Sequence, residues 1–355
     1  MKLNKTLAQD DRQYCLDTLP KVSRTFAPTI RLLPKGLEVP VTVAYLLCRI
    51  ADTIEDSPYL SIQEKDRMLV LFSRLFLDDK KPETVFWDEV SSFKGDTADD
   101  ELVRNAQRVF TVLRSFSPVL QKHIGKWVVE MSRGMQQFAQ SSFKPRFSFL
   151  KSMQELDEYT YYVAGTVGYL LTELFSFYSS KITPRIKHRL ELLAESFGKG
   201  LQLVNIIRDM TTDLRRGQSY IPDELLKKYE LTRSSIFEKE NAIRAEMMFN
   251  ELIENAVKHL DHALDYVLLI PKEETRIRLF CMLPLFWALR TLEKIQENTL
   301  ALLGSEKIKI SRGLIRKEYF LAIINMNSNR LTRWHYQRIR NSFYPQIAAP
   351  AEAAS

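Results

Sequence analysis

The sequence predicts an all-α fold in one domain, and three observations support this prediction. Apolar residues recur with the roughly 3.6-residue period of a helix along most of the 355-residue chain. No run of strict two-residue alternation bounded by Asn-Gly turns is found, so no sheet is expected. Only 11 glycines and 14 prolines are present, and no compositionally distinct linker divides the chain. We expect residues 1–345 to form the domain and residues 346–355 to be a disordered tail.

The helices can be placed in order from these signals. A strongly apolar helix runs from Val39 and ends at Asp56-Ser57-Pro58, because proline disfavours α geometry in the residue before it. Further helices are expected at residues 102–113, 120–138, 156–178, 186–214, 242–269 and 277–303. Connections rich in Pro, Gly or charge are expected at residues 78–82, 94–96, 144–146, 183–184, 221–222 and 270–271. Helices joined by short loops are the pattern of a helical bundle.

Composition excludes several classes of protein. With 45% hydrophobic and 27% charged residues, the chain is globular rather than disordered. Its three cysteines are far apart in sequence, which argues against a disulfide framework or a zinc site. The polar N-terminus lacks a signal peptide, and no apolar run is long enough to span a membrane, so a cytoplasmic protein is expected. The net charge of +7 suits an anionic substrate or membrane surface and is too small to indicate nucleic acid.

Two pairs of acidic residues are the first candidates for a functional site. Asp52 and Asp56 end the first apolar helix, and Asp209 and Asp213 lie inside a later one. Residues four apart share a helix face, so the two carboxylates of each pair point in the same direction. They repel each other unless a cation is present. A solvated face paired with arginines is the plainer explanation of one such motif. Two pairs within apolar helices favour a binding site.

The surroundings of the pairs indicate which ligand they would bind. Helical steps backward from Asp209 place Asn205 and Gln202 on the same face. Carboxylate and amide oxygens suit Mg²⁺, which also binds substrate phosphates, and Mn²⁺ is the alternative ion. Arginines, whose planar fork fits phosphate oxygens, flank both pairs: they are Arg49, Arg208 and Arg216. We therefore predict a metal-bridged diphosphate site between facing helices.

Four segments, in order, resemble the squalene and phytoene synthase family of head-to-head prenyltransferases. They are residues 23–26 (SRTF), 45–56 (YLLCRIADTIED), 159–168 (YTYYVAGTVG) and 200–222 (GLQLVNIIRDMTTDLRRGQSYIP). They are similar to the family's flap, its first aspartate-rich motif, its central YCxYVAGxVG helix and its second aspartate-rich motif. The resemblance extends over roughly residues 15–316. It implies an isoprenoid-synthase helical bundle around a deep central cavity.

Within the family the subtype is left open by mixed signals. Residues 280–284 (FCMLP) and 307–313 (KIKISRG) are similar to segments of the reductive, squalene-forming members, the second of which is associated with NADPH use. Thr212 replaces a family carboxylate, however, and Ser311 stands where an arginine is expected. Residues 213–217 and 220–222 look more like phytoene synthases. No GxGxxG motif is present, so any nicotinamide binding is not of the Rossmann type.

The resemblance implies a reaction in two halves. Two farnesyl diphosphates condense to presqualene diphosphate with Mg²⁺, and a rearrangement with hydride from NADPH gives squalene. A non-reductive enzyme that makes dehydrosqualene or phytoene is the alternative. A non-catalytic member that only binds a prenyl diphosphate is the third possibility, kept open by Thr212 and Ser311.

The resemblance also assigns roles to single residues. The catalytic set is Tyr159, Asp52, Asp56, Asp209 and Asp213. The expected metal ligands are Asp52, Glu55, Asp56, Asn205, Asp209 and Asp213. Substrate-binding residues are Ser23, Arg24, Tyr45, Arg49, Val163, Gln202, Asn205, Arg208, Arg216, Phe280 and Pro284, with Tyr162 as a further aromatic candidate. Lys309 and Arg312 are expected to bind an NADPH phosphate. Ordinary core packing is the alternative for the aromatic residues, and an N-cap is the alternative for Ser23.

The C-terminal stretch at residues 331–344 (LTRWHYQRIRNSFY) alternates arginines with aromatic residues. As a helix it would suit a membrane surface, and packing against the domain explains the same residues equally well. The expected partners are thus farnesyl diphosphate and, peripherally, a membrane surface, without nucleic acid. The protein is expected to be a monomer or a weak homodimer.

Overall fold

The computed structural model describes residues 2–77, 81–141, 148–215, 218–297 and 308–344. The connection predicted at residues 144–146, the tail at 346–355 and Arg216 lie outside these ranges. The helices are α1 (Lys2–Val22), α2 (Phe26–Ile30), α3 (Lys35–Asp56), α4 (Ile62–Arg74), α5 (Lys81–Ser91), α6 (Ala98–Arg104), α7 (Ala106–Arg114), α8 (Pro118–Ser141), α9 (Met153–Thr160), α10 (Thr166–Tyr178), α11 (Pro184–Arg215), α12 (Asp223–Lys228), α13 (Ala242–Leu269), α14 (Thr275–Glu297), α15 (Arg312–Asn325) and α16 (Asn329–Phe343). A π-helical turn (Tyr161–Gly165) joins α9 to α10, and two short 3₁₀ turns (Ser235–Phe237 and Lys239–Asn241) precede α13.

The all-α prediction is confirmed, and several helix limits agree closely. α3 ends at Asp56, and α13 spans the predicted residues 242–269. α11 extends the predicted 186–214 by two residues at its start and one at its end. None of the helices within the described ranges combines the length and the apolar character that a bilayer-spanning segment needs.

Three details of the prediction were wrong. The helix predicted at 102–113 is broken at Asn105, whose side-chain amide donates to the Glu101 carbonyl oxygen at 2.9 Å, because an asparagine side chain competes for the backbone of a helix. The segment at 156–178 is not one regular α-helix, since the π turn interrupts it. A minimal sheet also exists: the two-residue strands β1 (Ser148–Phe149) and β2 (Gln218–Ser219) pair in parallel. This pairing ties the segment before α9 to the segment that follows α11.

Two glycines allow the helices at the centre to approach closely. A Cβ atom on Gly168 of α10 would lie 1.8 Å from the backbone oxygen of Ala194 in α11. A Cβ on Gly198 of α11 would lie 1.9 Å from the backbone oxygen of Ala164 in the π turn. Both distances are far inside van der Waals contact, so only glycine fits. The close approach fixes the π turn and α10 against α11.

The C-terminal helices are held by a buried arginine. Arg278 of α14 is fully buried, and its guanidinium donates to the carbonyl oxygens of Met326 at 2.6 Å and Ile270 at 2.7 Å. It also donates to the Asn329 side-chain oxygen at 2.8 Å. Ile270 and Met326 are the C-terminal caps of α13 and α15, where a cation interacts favourably with the helix dipole. Arg278 thus joins the ends of two helices to the start of α16.

Replacing Arg278 with methionine should lower the free energy of unfolding by about 3–5 kcal/mol, because one buried and two partly buried acceptors lose their donor. Chemical denaturation followed by circular dichroism measures this loss. Arg276→Met is the matched control, since Arg276 lies exposed on the same helix. Equal stability of the two variants would contradict the anchoring role.

Candidate active site

A cavity of about 450 Å³ opens at the centre of the bundle. Its wall is formed by α2, α3, α8, α9, the π turn, α10, α11 and α14, together with Tyr220 after β2. Of the predicted site residues, the wall contains Tyr45, Arg49, Asp52, Glu55, Asp56, Tyr159, Val163, Gln202, Asn205, Arg208, Asp209, Asp213, Phe280 and Pro284. The fold therefore brings together residues that are more than 200 positions apart.

On the α3 side, an arginine organises the acidic residues. Arg49 makes an ion pair with Asp52 at 2.7 Å and donates to the Tyr45 hydroxyl at 3.0 Å. Its Nε also lies 3.7 Å from Asp99 at the start of α6. Asp99 was not predicted as a site residue, since it is 47 positions from Asp52 and no motif includes it. The acidic end of the cavity thus has a further carboxylate beside it.

Burial disfavours the ionised form of two acidic residues on α3. Burial raises the pKa of Asp52 to about 6, against the opposing charge of Arg49 and with a contribution from Asp56. Burial, followed by the charges of Asp56 and Asp52, raises the pKa of Glu55 well above its usual value. Carboxyl groups whose ionised form is disfavoured in this way would gain from a bound cation.

The facing helix α11 contributes the second acidic pair. Gln202, Asn205, Asp209 and Asp213 all line the cavity, as the helical stripe predicted, whereas Thr212 is not among the lining residues. The Asn205 amide donates to the Gln202 side-chain oxygen at 3.5 Å. Arg208 pairs with Asp209, and its Nε donates to an Asp209 oxygen at 3.2 Å. The substitution at position 212 therefore leaves both cavity-facing aspartates in place.

The donor set suits a hard divalent cation such as Mg²⁺. Carboxylate oxygens come from two facing helices, with the Asn205 amide beside them. Within the described residues, no three His, Cys, Asp or Glu side chains come close enough to form a complete metal cage. This arrangement fits an ion that completes its coordination with water and substrate phosphate oxygens, as Mg²⁺ commonly does.

A pair of stacked tyrosines forms part of the cavity wall. The rings of Tyr159 and Tyr220 are 4.7 Å apart with an angle of 25° between their planes. Burial, followed by the charges of Tyr220 and Glu55, raises the pKa of Tyr159 well above its usual value, so its phenol stays protonated. Tyr220 was not predicted as a site residue, although it belongs to the YIP segment that ends the second aspartate-rich match.

The remainder of the wall is apolar. Val163 comes from the π turn, Phe280 and Pro284 come from α14, and Phe26 and Leu171 are among the other apolar residues of this part of the surface. Phe280 is 4% exposed and packs edge-to-face on Phe175 with ring centroids 6.0 Å apart. Such a wall can hold a long hydrocarbon chain and exclude water from it.

The π turn is braced from outside the cavity by a buried lysine. Lys199 of α11 has a side chain that is only 4% exposed, and its ammonium group lies 2.8 Å from Asp157 and 2.5 Å from Glu195. Asp157 is on α9, two residues before Tyr159, so this ion pair links the tyrosine's helix to α11. The Tyr169 hydroxyl donates to the other oxygen of Glu195 at 3.2 Å. π turns interrupt helices frequently at functional sites.

Five other predicted or candidate residues are not part of the cavity wall. Ser23 is buried and accepts a hydrogen bond from the Phe26 backbone at 3.1 Å, and Arg24 is exposed. Tyr162 instead packs against Gly134 of α8, where a Cβ would lie 2.0 Å from its ring. Lys309 and Arg312 are exposed at the start of α15.

Ser311, which occupies the position of an expected arginine, has a structural role in the described chain. Its hydroxyl caps α15 by accepting a hydrogen bond from the Leu314 backbone at 3.1 Å. An N-cap serine satisfies a backbone donor that has no partner within the helix. The departure from the family sequence thus stabilises the start of α15.

The sequence is similar to a known protein family and to known relatives over most of its length. Residues 19–313 match the profile of the squalene/phytoene synthase family. The chain is 32% identical over 307 residues to the squalene synthase of Eremothecium gossypii, an alignment that covers 86% of this chain and 66% of the relative. It is 30% identical over 299 residues to squalene synthase ERG9 of Saccharomyces cerevisiae, with coverage of 83% and 64%. The chain therefore spans slightly less than two thirds of the length of these two relatives.

Solved structures show the same fold at lower identity. The complex of TcSQS with the ligand E5700 superposes with a TM-score of 0.79 at 23% identity, covering 95% of this chain and 93% of that one. A dehydrosqualene synthase in complex with a ligand gives a TM-score of 0.65 at 20% identity, covering 92% of this chain and 99% of that one.

Proposed function

The chain belongs to the squalene/phytoene synthase family, and from this premise we propose that it is a farnesyl-diphosphate farnesyltransferase of the squalene synthase type. It condenses two farnesyl diphosphates head to head into presqualene diphosphate and then converts this intermediate to squalene with NADPH. The observation that carries the proposal is the pair of facing aspartate motifs on α3 and α11, which line the acidic end of an otherwise apolar cavity.

At the acidic end, the chain binds and orients diphosphate. Mg²⁺, when bound to the α3 and α11 carboxylates, supplies the charge that stabilises the departing diphosphate. Arg49 and Arg208 line the same part of the wall and contribute fixed positive charge with planar hydrogen-bond donors. Arg216 lies outside the described residues and is a third candidate for this role.

A protonated tyrosine is available where the diphosphate would leave. Tyr159 lines the cavity and keeps its proton because its pKa is raised, so its hydroxyl is suited to donate to a diphosphate oxygen. Tyr220 stacks against the Tyr159 ring. Once diphosphate has left, the apolar wall keeps water away from the allylic cation, and the Tyr45 ring can stabilise positive charge through its π face.

The reductive half of the proposal is supported by the names of the relatives rather than by the cavity. The two relatives described above are squalene synthases. Lys309 and Arg312, the expected NADPH contacts, are exposed and are not among the residues that line the cavity.

Two other functions are also compatible with the acidic end and the apolar wall of the cavity. A non-reductive enzyme, which makes dehydrosqualene or phytoene, would use the same acidic end and apolar wall. The sequence at residues 213–217 and 220–222 favours it. A protein that binds prenyl diphosphate without turnover would retain the cavity and release no diphosphate. The products formed distinguish all three.

Product analysis tests the proposal directly. The purified protein is incubated with farnesyl diphosphate and Mg²⁺, with and without NADPH, and the extracted hydrocarbons are identified. We expect squalene only in the presence of NADPH. Dehydrosqualene or an alcohol in both reactions would overturn the reductive assignment. If farnesyl diphosphate stays unchanged, the incubation is repeated with geranylgeranyl diphosphate. A second failure would favour a protein that binds a prenyl diphosphate without turnover.

A variant of the basic segment tests the cofactor assignment separately. Lys309→Ala should leave presqualene diphosphate formation intact and slow squalene formation roughly tenfold, because a phosphate contact is lost only in the second half-reaction. Lys227→Ala, at an exposed lysine of α12, is the matched control. Equal loss of both half-reactions in Lys309→Ala would argue against a nicotinamide role.

A further inference from the structure

The C-terminal helix pair exposes large apolar side chains on its outer side. Phe320 and Ile324 of α15 are 63% and 67% exposed, and Leu331 and Trp334 of α16 are 45% and 56% exposed. Phe320 and Ile324 are four residues apart and so share one face of their helix. Leu331 and Trp334 are three apart and share a face of theirs. We call these four side chains with the exposed bases around them the α15–α16 surface.

The two faces point in the same general direction. Both helices pack on α14, toward which α15 turns Glu318 and Ala322. α16 turns His335 and Ile339 inward. Glu318 is fully buried, and it accepts from Arg290 of α14 at 2.8 Å and pairs with His335 at 2.6 Å, which fixes the orientation of both helices. Side chains on the opposite faces of α15 and α16 therefore share the outer side of the pair.

The exposed charges of the α15–α16 surface are all positive. They are Arg312, Arg316 and Lys317 on α15 and Arg330, Arg333 and Arg338 on α16. The acidic residue within these two helices, Glu318, is buried and neutralised by its partners. Asp265 of α13 pairs with Arg333 at the edge of the surface.

Arg338 lies over the Trp334 ring with its guanidinium carbon 5.5 Å from the ring centroid. Apolar and aromatic side chains surrounded by bases are typical of proteins that bind at a membrane interface.

We propose that the α15–α16 surface binds the surface of an anionic lipid bilayer. Phe320, Ile324, Leu331 and Trp334 enter the boundary between head groups and acyl chains, while the bases contact lipid phosphates. Arginine and lysine suit this position, because their long stems lie along apolar surface while their charged ends reach outward.

The positive charge of the α15–α16 surface favours a bilayer over a second copy of the chain as its binding partner. A symmetric contact between two copies would place the same patch against itself. On this surface such a contact would bring two sets of unbalanced positive charges together, which is unfavourable. An anionic membrane offers complementary charge over a wide area, without the shape complementarity that a protein partner requires.

Vesicle co-sedimentation tests the proposal without any substrate, so its outcome is independent of the proposed function. The full chain is mixed with vesicles of phosphatidylcholine alone or with roughly 30% phosphatidylglycerol. We expect binding to the anionic vesicles that falls as salt is raised, and at least about tenfold weaker binding to the neutral ones. No binding to the anionic vesicles would overturn the proposal.

Paired variants identify the surface. Phe320→Ser with Trp334→Ser should weaken binding to anionic vesicles about tenfold or more, and Arg316→Glu with Lys317→Glu should have a similar effect. The matched control is Ile243→Ser with Met247→Ser, an exposed apolar pair of 75% and 54% exposure on α13. Circular dichroism verifies that each variant is folded.

Three further results would overturn the proposal. The first is wild-type binding by both α15–α16 variants, and the second is an equal loss of binding in the Ile243/Met247 control. The third is a dimer, observed by sedimentation velocity without vesicles, that dissociates in the Phe320/Trp334 variant, since this would assign the surface to a second copy of the chain.

Discussion

Replacing Asp52 with asparagine is expected to reduce consumption of farnesyl diphosphate by at least about a thousandfold. Asp52 lies in the wall of the cavity, between Arg49 and the other α3 carboxylates, where a metal-bound diphosphate would be held. Both half-reactions expel a diphosphate, so both should be lost. Consumption of farnesyl diphosphate measures the first half, and turnover of supplied presqualene diphosphate measures the second.

The same variant should be at least as stable as the parent in the absence of metal. The pKa of Asp52 is raised in the folded protein, so its ionised form costs stability at neutral pH, and a neutral amide removes this cost. Thermal unfolding with and without Mg²⁺ should show an unchanged or higher Tm without the ion and a smaller increase on adding it. Asp10→Asn, at an exposed position of α1, is the control. Near-normal turnover by Asp52→Asn would remove the metal-site assignment.

Replacing Gly198 with alanine is expected to destabilise the protein by about 3 kcal/mol or more and to reduce activity strongly. The added Cβ would lie 1.9 Å from the Ala164 oxygen, whereas real Cβ contacts essentially never fall below 3.0 Å. Backbone atoms on both sides must therefore separate, and α11 moves away from the π turn. Because Gly198 and Ala164 are themselves part of the cavity wall, the acidic pair on α11 would shift relative to Tyr159.

Gly313→Ala in α15 is the matched control for this prediction. Its added Cβ would meet no closer atom than the Ser311 hydroxyl oxygen at 3.9 Å, so alanine should be neutral or slightly stabilising there. Urea denaturation and diphosphate release are measured for both variants. Wild-type stability and turnover in Gly198→Ala would show that the helices are not held in contact as described.

Local geometry explains why much of the site was predictable. The spacing of Asp209 and Asp213 places both on one face in any α-helix, so the polar stripe on α11 followed from the sequence once the helix was recognised. Likewise, α3 ends at Asp56, as the proline two residues later predicted. Phe280, Pro284 and Val163 came from the family resemblance instead, because nothing in their local pattern separates a cavity wall from an ordinary core.

Contacts between distant parts of the chain were the ones that sequence reasoning missed. Tyr220 stacks on Tyr159 across 61 positions, and Asp99 lies beside Arg49 across 50. Lys199, to which the sequence assigned no role, has a buried side chain that pairs with Asp157 and Glu195. Each depends on which helices pack together, and helical periodicity carries no information about that choice.

By itself the sequence determined the all-α fold class, several helix limits and the two carboxylate pairs, because these depend on hydrophobic period and i, i+4 spacing. Tertiary structure alone decided which of the aromatic and basic residues face the cavity. It placed Phe280 in the wall and Tyr162 against Gly134. It also turned Tyr336 and Phe343 inward while leaving Trp334 exposed on the same helix. An amphipathic pattern predicts which face of a helix is buried. Whether that face contacts another helix or the cavity depends on how the helices pack together.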